Sequence, residues 1–183
     1  IQAQRLDLTA ATLDNYNGKV SALGGNALLK TGSVDNRNGS LYGKGLVQVR
    51  GGSFDNSGDN DGQVFGSQID FGLSGALNNR LGIIESSSTL SLAAASLDNT
   101  NGQLRALGTS GTTQLTLGGW LDNTNGRLET ANQDLQLAIG GLTNTNGTLL
   151  HVGAGTFGLG LPLLQNAGGS VTSNGTLTLN GSS

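Results

Sequence analysis

The chain contains no cysteine, one proline and one histidine in 183 residues, and only 4% of it is aromatic. The missing cysteine fits a cytosolic chain and equally an exported one that avoids disulfides. A single histidine, His151, excludes a histidine metal cluster and a histidine-based catalytic triad. Charge is scarce too. Only 11% of residues are Asp, Glu, Lys or Arg, and the net charge is −3. That leaves no basic face for a nucleic acid partner. No run of 18 apolar residues exists, so the chain is not expected to span a membrane, and no signal peptide is visible. Disorder is excluded as well, because 35% of the chain is hydrophobic and its net charge is low. Helices are also absent from the pattern. Gly, Ser, Thr and Asn, all poor helix formers, fill the gaps between leucines, and no window holds an i, i+3, i+4, i+7 stripe.

What is present is one phrase, repeated. LDNTNG occurs at Leu97–Gly102 and again at Leu121–Gly126, with near copies such as LDNYNG from Leu13 and VDNRNG from Val34. As Φ-x-N-x-x-G, where Φ is apolar, it recurs eight times, beginning at Leu13, Val34, Phe54, Leu77, Leu97, Leu121, Leu142 and Leu164, with the glycine of the third copy arriving late after a longer turn. The steps of 20–24 residues indicate a stacked repeat. Every copy has the asparagine: Asn15, Asn36, Asn56, Asn79, Asn99, Asn123, Asn144 and Asn166. Every copy has the glycine: Gly18, Gly39, Gly62, Gly82, Gly102, Gly126, Gly147 and Gly169. Two residues past the glycine comes an apolar residue, such as Leu104 or Leu128. Further on comes an alternating pair, such as Leu90/Leu92, Leu115/Leu117 or Leu135/Leu137. Alternation at period two signals strands.

Each unit therefore reads as three short strands separated by turns. Such a unit buries its apolar side only by coiling, so that each coil stacks on the next. The expected fold is an all-β solenoid, a parallel β-helix of about eight coils. A partial coil covers residues 1–12, and residues 1–183 form a single segment of a longer protein. At roughly 4.8 Å per coil the rod would be about 40 Å long. Leucine-rich repeats place Asn three residues after Leu-x-Leu, whereas Asn99 follows Leu92 by seven. Left-handed hexapeptide helices need 18-residue coils, and calcium-binding nonapeptide repeats need GGxGxD; neither pattern is here.

The sixteen fixed residues have a structural reading. The Φ-x-N spacing puts the asparagine on the side of the preceding inward residue. Buried amides need partners, and stacked ones can bond each other as an Asn ladder. Asparagine also tolerates a left-handed corner. The glycine supplies positive φ or lets the chain pass close by.

The phrases LDNTNGQLRA, LDNTNGRLETANQDLQLAIGG and LDNYNGKVSALGG resemble the haemagglutinin repeats of large bacterial exoproteins. These are the filamentous-haemagglutinin type adhesins and the contact-dependent growth inhibition exoproteins, exported by two-partner secretion. The resemblance runs from about Leu6 to Leu179 and rests on period, LDNxxG and xLxL together. It implies a right-handed β-helix on the surface of a Gram-negative bacterium, serving as a stalk for a receptor-binding or toxic region. It implies an outer-membrane two-partner-secretion transporter as partner during export, and a host or target-cell receptor as a further partner. The rod is expected to be monomeric and to need no cofactor.

Three features stand outside the pattern. Residues before the ladder asparagine form a partly acidic column, Asp14, Asp35, Asp55, Asn78, Asp98, Asp122, Thr143 and Gln165. A cation could bridge neighbouring carboxylates, but aspartate also suits a solvent-facing turn. The acidic insert Asp55–Gly62 slightly resembles a calcium loop, yet Asn60 stands where an EF-hand needs glycine and Gly66 where it needs glutamate. Gly108–Gln114 lengthens one coil. Both stretches are candidate recognition loops. Trp120 should point opposite Leu121, and His151 is expected on an outer face. β-Helices also include carbohydrate-active enzymes, which use carboxylate clusters with a basic residue. No Lys or Arg column accompanies the acidic one here; Lys19, Arg105 and Arg127 fall in different registers or distant coils. The expectation is a structural or interaction segment, not an enzyme.

Overall fold

The computed structural model describes residues 1–59 and 62–181. Among these the chain forms strands and turns only, with no helix. All strands belong to one continuous sheet wound as a β-solenoid of about eight turns. Every strand pairing in it is parallel. Parallel pairing between segments 20–24 residues apart leaves no room for helical crossovers, so each return path is itself a strand of the next face.

Each coil has three strand segments. The corner strand ends at Φ-x-N, the exit strand begins after the glycine, and the pair strand carries the alternating residues. The bends between them do not always interrupt the hydrogen bonding. Leu6–Asp14 and Ala27–Asp35 join a pair strand to the following corner strand, and Ser40–Asp55 runs through all three faces.

The repeat's register is the register of the sheet. Leu77, Leu97, Leu121 and Leu142 pair in sequence along the corner strands. Val64, Ile84, Leu104, Leu128 and Leu149 do so along the exit strands. These side chains point inward and are at most 1% exposed, so each apolar stack excludes water along its length. Phe54 and Phe71 meet in the interior with ring centroids 4.9 Å apart. Leu6 and Leu8 in the first coil are only partly buried, and Leu164, Leu177 and Leu179 in the last are exposed.

The pair strands contain one correction to the sequence register. Leu115 and Leu117 do not lie over Leu90 and Leu92. Leu115 pairs with Leu92 and Leu117 with Ala94. The inward position opposite Leu135 is taken by Thr113, which is 1% exposed. The 24-residue coil places its extra length in the turn ahead of this strand, so its apolar pair slides by two residues. A slip of two keeps every side chain on its own face, which is why the alternation in the sequence concealed it.

Candidate functional site

The most regular chemistry in the molecule is the corner, and Leu121–Gly126 shows how it is built. Leu121 is fully buried. The next residue, Asp122, points outward, and its Oδ1 accepts hydrogen bonds from the Thr124 amide at 3.0 Å and the Thr124 hydroxyl at 2.6 Å. This is an Asx turn, in which a carboxylate holds the backbone two residues on. The same bond recurs from Tyr16 to Asp14, Arg37 to Asp35, Ser57 to Asp55, Arg80 to Asn78 and Thr100 to Asp98. One oxygen of the outward residue is thus committed to the turn in each of these coils.

Asn123 is fully buried. Its Nδ2 donates to Asn144 Oδ1 at 2.7 Å, with Gly126 O and Thr148 O at 3.3 Å. Its Oδ1 accepts from Asn99 Nδ2 at 2.7 Å. Equivalent links of 2.6–2.8 Å join Asn15, Asn36, Asn56, Asn79 and Asn99, and a further 2.7 Å link joins Asn144 to Asn166. Seven side-chain bonds therefore connect all eight asparagines. In each one the earlier residue is the donor, so the amides point the same way along the rod.

The left-handed residue of the corner is not the ladder asparagine, and it is not the glycine. Positive φ belongs to the residue just before the glycine: Asn17, Asn38, Asn101, Asn125 and Asn146 at 50–55°, and Leu81 at 62°. In the last coil Gly168 takes this role at 66°. The corner glycine is required by close approach instead. A Cβ at Gly126 would stand 2.6 Å from Asn123 Oδ1 and closer still to the carbonyl oxygen of Asn99, one coil back. Backbone cannot retreat from such a clash without breaking the stack.

The acidic column is half-exposed and tied to its own turns. Asp35 is paired with Arg37, whose Nη2 lies 2.6 Å from its Oδ2. The hydrogen bond from the Arg37 side chain is the largest influence on the Asp35 carboxyl and holds it below the usual carboxylate range, while partial desolvation opposes it. Arg37 also lies over the Tyr16 ring, 5.3 Å from the centroid. Among the described residues, no group of three or more His, Cys, Asp or Glu is placed to hold a metal ion. The calcium-loop likeness of Asp55–Gly62 depends in part on Asn60 and Asp61, which lie outside the described residues.

The second polar centre lies around the lengthened coil. Asn132 is fully buried, and its Nδ2 donates to the carbonyls of Ser88 at 2.8 Å, Gly108 at 2.7 Å and Ser110 at 3.2 Å. Its Oδ1 accepts from the Thr113 hydroxyl at 2.7 Å, which also meets the Thr130 hydroxyl at 2.8 Å. The stretch Gly108–Gln114 is thus held from inside.

His151 corrects the sequence expectation. It is not on an outer face but fully buried. Its Nε2 faces the carbonyls of Asn132 at 3.2 Å and Gln133 at 3.1 Å, so it carries the proton. Its Nδ1 then accepts from the Ser173 hydroxyl at 2.9 Å. His151 lies two residues past the inward Leu149, and period two alone would have turned it inward.

No protein-family model, curated protein or solved structure matches the chain. The geometry itself is that of a β-helix repeat protein. Trp120 is 41% exposed and, as its place before Leu121 implied, faces outward; the indole lies across Gly141 of the next coil, where a Cβ would meet ring atoms at 2.9 Å. Arg105 pairs with Glu85 at 2.6 Å and Arg127 with Glu129 at 2.9 Å, both at the surface. These cations are occupied by local acids. His151, Thr113 and Asn132 are sealed inside. The polar chemistry of the chain is turned inward, toward holding the coils together.

Proposed function

We propose that the chain is a rod segment of a large secreted exoprotein, one that holds a receptor-binding or toxic region away from a bacterial surface. The observation that carries the rod is the unbroken ladder from Asn15 to Asn166. Each coil repeats the same corner and the same inward stacks, so each adds a fixed rise and a fixed direction. Cooperative stacking of that kind makes a stiff spacer. Secretion and surface display are supported by the resemblance of LDNTNGRLETANQDLQLAIGG and its companions to exoprotein repeats.

The test has two arms. Antibodies against the chain are applied to intact cells that produce it; surface labelling supports the reading, and labelling only after lysis contradicts it. In the second arm one whole coil, Leu121–Gly141, is deleted. A spacer keeps its function with a slightly shorter reach. Complete loss of cell binding with an intact fold would instead make that coil a binding element.

A further inference from the structure

Seven Asn–Gly pairs occur in the chain, beginning at Asn17, Asn38, Asn101, Asn125, Asn146, Asn174 and Asn180. An Asn–Gly pair is chemically labile. The glycine nitrogen, after losing its proton, attacks the asparagine Cγ. The Cγ–Nδ2 bond breaks, ammonia leaves, and a five-membered succinimide remains. Water then opens either ring carbonyl to give aspartate or isoaspartate, with one new negative charge and no oxidation or reduction.

The first five pairs are the left-handed corners, and their backbone is held on both sides. The asparagine amide donates to the next coil: Asn17 to Arg37 O, Asn38 to Ser57 O, Asn101 to Thr124 O, Asn125 to Thr145 O and Asn146 to Ala167 O, all at 2.9–3.1 Å. The attacking nitrogen is held too. The amides of Gly18, Gly39, Gly102, Gly126 and Gly147 donate to the carbonyl of the ladder asparagine three residues earlier, at 2.8–3.1 Å. Ring closure needs that nitrogen deprotonated and swung toward Cγ. The swing turns the peptide out of the left-handed corner, breaks both bonds and pulls the glycine away from the coil beneath it.

The other two pairs differ. Asn174 and Asn180 have no positive φ. The amide of Gly175 donates to the Ser173 hydroxyl at 3.1 Å rather than to a backbone carbonyl, and the amide of Asn174 donates to His151 O at 2.9 Å. Asn180 lies at the end of strand Thr176–Asn180, and its carbonyl accepts from the Leu161 amide at 3.1 Å.

We propose that the corner geometry suppresses succinimide formation at Asn17, Asn38, Asn101, Asn125 and Asn146. The suppression does not come from side-chain burial, because Asn17, Asn101, Asn125 and Asn146 are all exposed. An isoaspartate at a corner would add one atom to the main chain and move the glycine off its carbonyl, so the suppression preserves the pitch.

The experiment is peptide mapping by mass spectrometry after long incubation of the chain in mildly alkaline buffer, folded and in urea. In urea all seven asparagines should convert at comparable rates. In the folded chain the five corner asparagines should slow by roughly tenfold or more, because they react only through local opening. Corner asparagines converting at the urea rate in the folded chain would overturn the proposal.

Discussion

Asn123 Nδ2 donates to Asn144 Oδ1 at 2.7 Å, across 21 residues of chain and out of contact with water. Replacing Asn123 by leucine would leave Asn99 Nδ2 with only its longer carbonyl contacts and Asn144 Oδ1 without its donor. A loss of roughly 3 kcal/mol is expected for two buried groups stripped of their ladder partner. The same change at Asn166 should cost far less, since that amide is exposed and closes the ladder. Urea unfolding of the two variants measures the difference. Equal losses at both sites would separate the ladder from stability.

Gly126 and Gly118 test the close approach. Alanine at Gly126 meets the Asn99 carbonyl and should destabilise by about 1–3 kcal/mol, the range for an overpacked site. At Gly118 the nearest atom to an added Cβ is the Ala95 oxygen at 3.8 Å. Alanine there should be neutral or stabilising by up to about 1 kcal/mol, because it restricts the unfolded chain. Thermal melts of both variants decide the point.

Leu81 occupies the left-handed position that asparagine holds in five other corners, with φ at 62°. A leucine there carries strain that asparagine relieves, so Leu81→Asn should raise stability by about 1 kcal/mol. The converse change, Asn125→Val, should lower it by at least as much. A melting temperature for Leu81→Asn at or below that of the parent would contradict this assignment of the corner.

Thr113 and Ser86 are both buried hydroxyls with opposite expectations. The Thr113 hydroxyl joins Thr130 and Asn132, and Thr113→Val should cost about 1–3 kcal/mol by orphaning them. Among the described residues the Ser86 hydroxyl has no partner, so Ser86→Ala should be neutral or stabilising. Denaturation midpoints for the pair give the comparison.

Much of this was legible in the sequence, and the reasons are physical. Period two marks inward and outward positions, so Leu104, Leu121 and Leu128 could be assigned to the interior from their spacing alone. A recurrence of 20–24 residues needs no knowledge of contacts. The fixed asparagine and glycine advertised a corner. What the sequence hid was which constraint each residue meets. Two asparagines in LDNTNG look alike, yet Asn123 is buried and bonded while Asn125 carries the left-handed turn. The glycine next to a left-handed residue looks like the left-handed residue. The slide of Leu115 and Leu117 by two positions leaves alternation unchanged, so only the pairing with Leu92 and Ala94 reveals it. His151 was readable from its place two residues past Leu149; Asn132, Gln133 and Ser173, whose polar atoms make its burial tolerable, lie one coil away on either side.

The central claim is that every coil between two corners adds the same rise to one rod. Small-angle X-ray scattering tests it on the chain and on a variant in which Phe54–Gly141, four whole coils, is duplicated. The variant's maximum dimension should be longer by about 19 Å, at roughly 4.8 Å for each of the four coils, with an unchanged cross-sectional radius. An unchanged length or a thickened cross-section would contradict it.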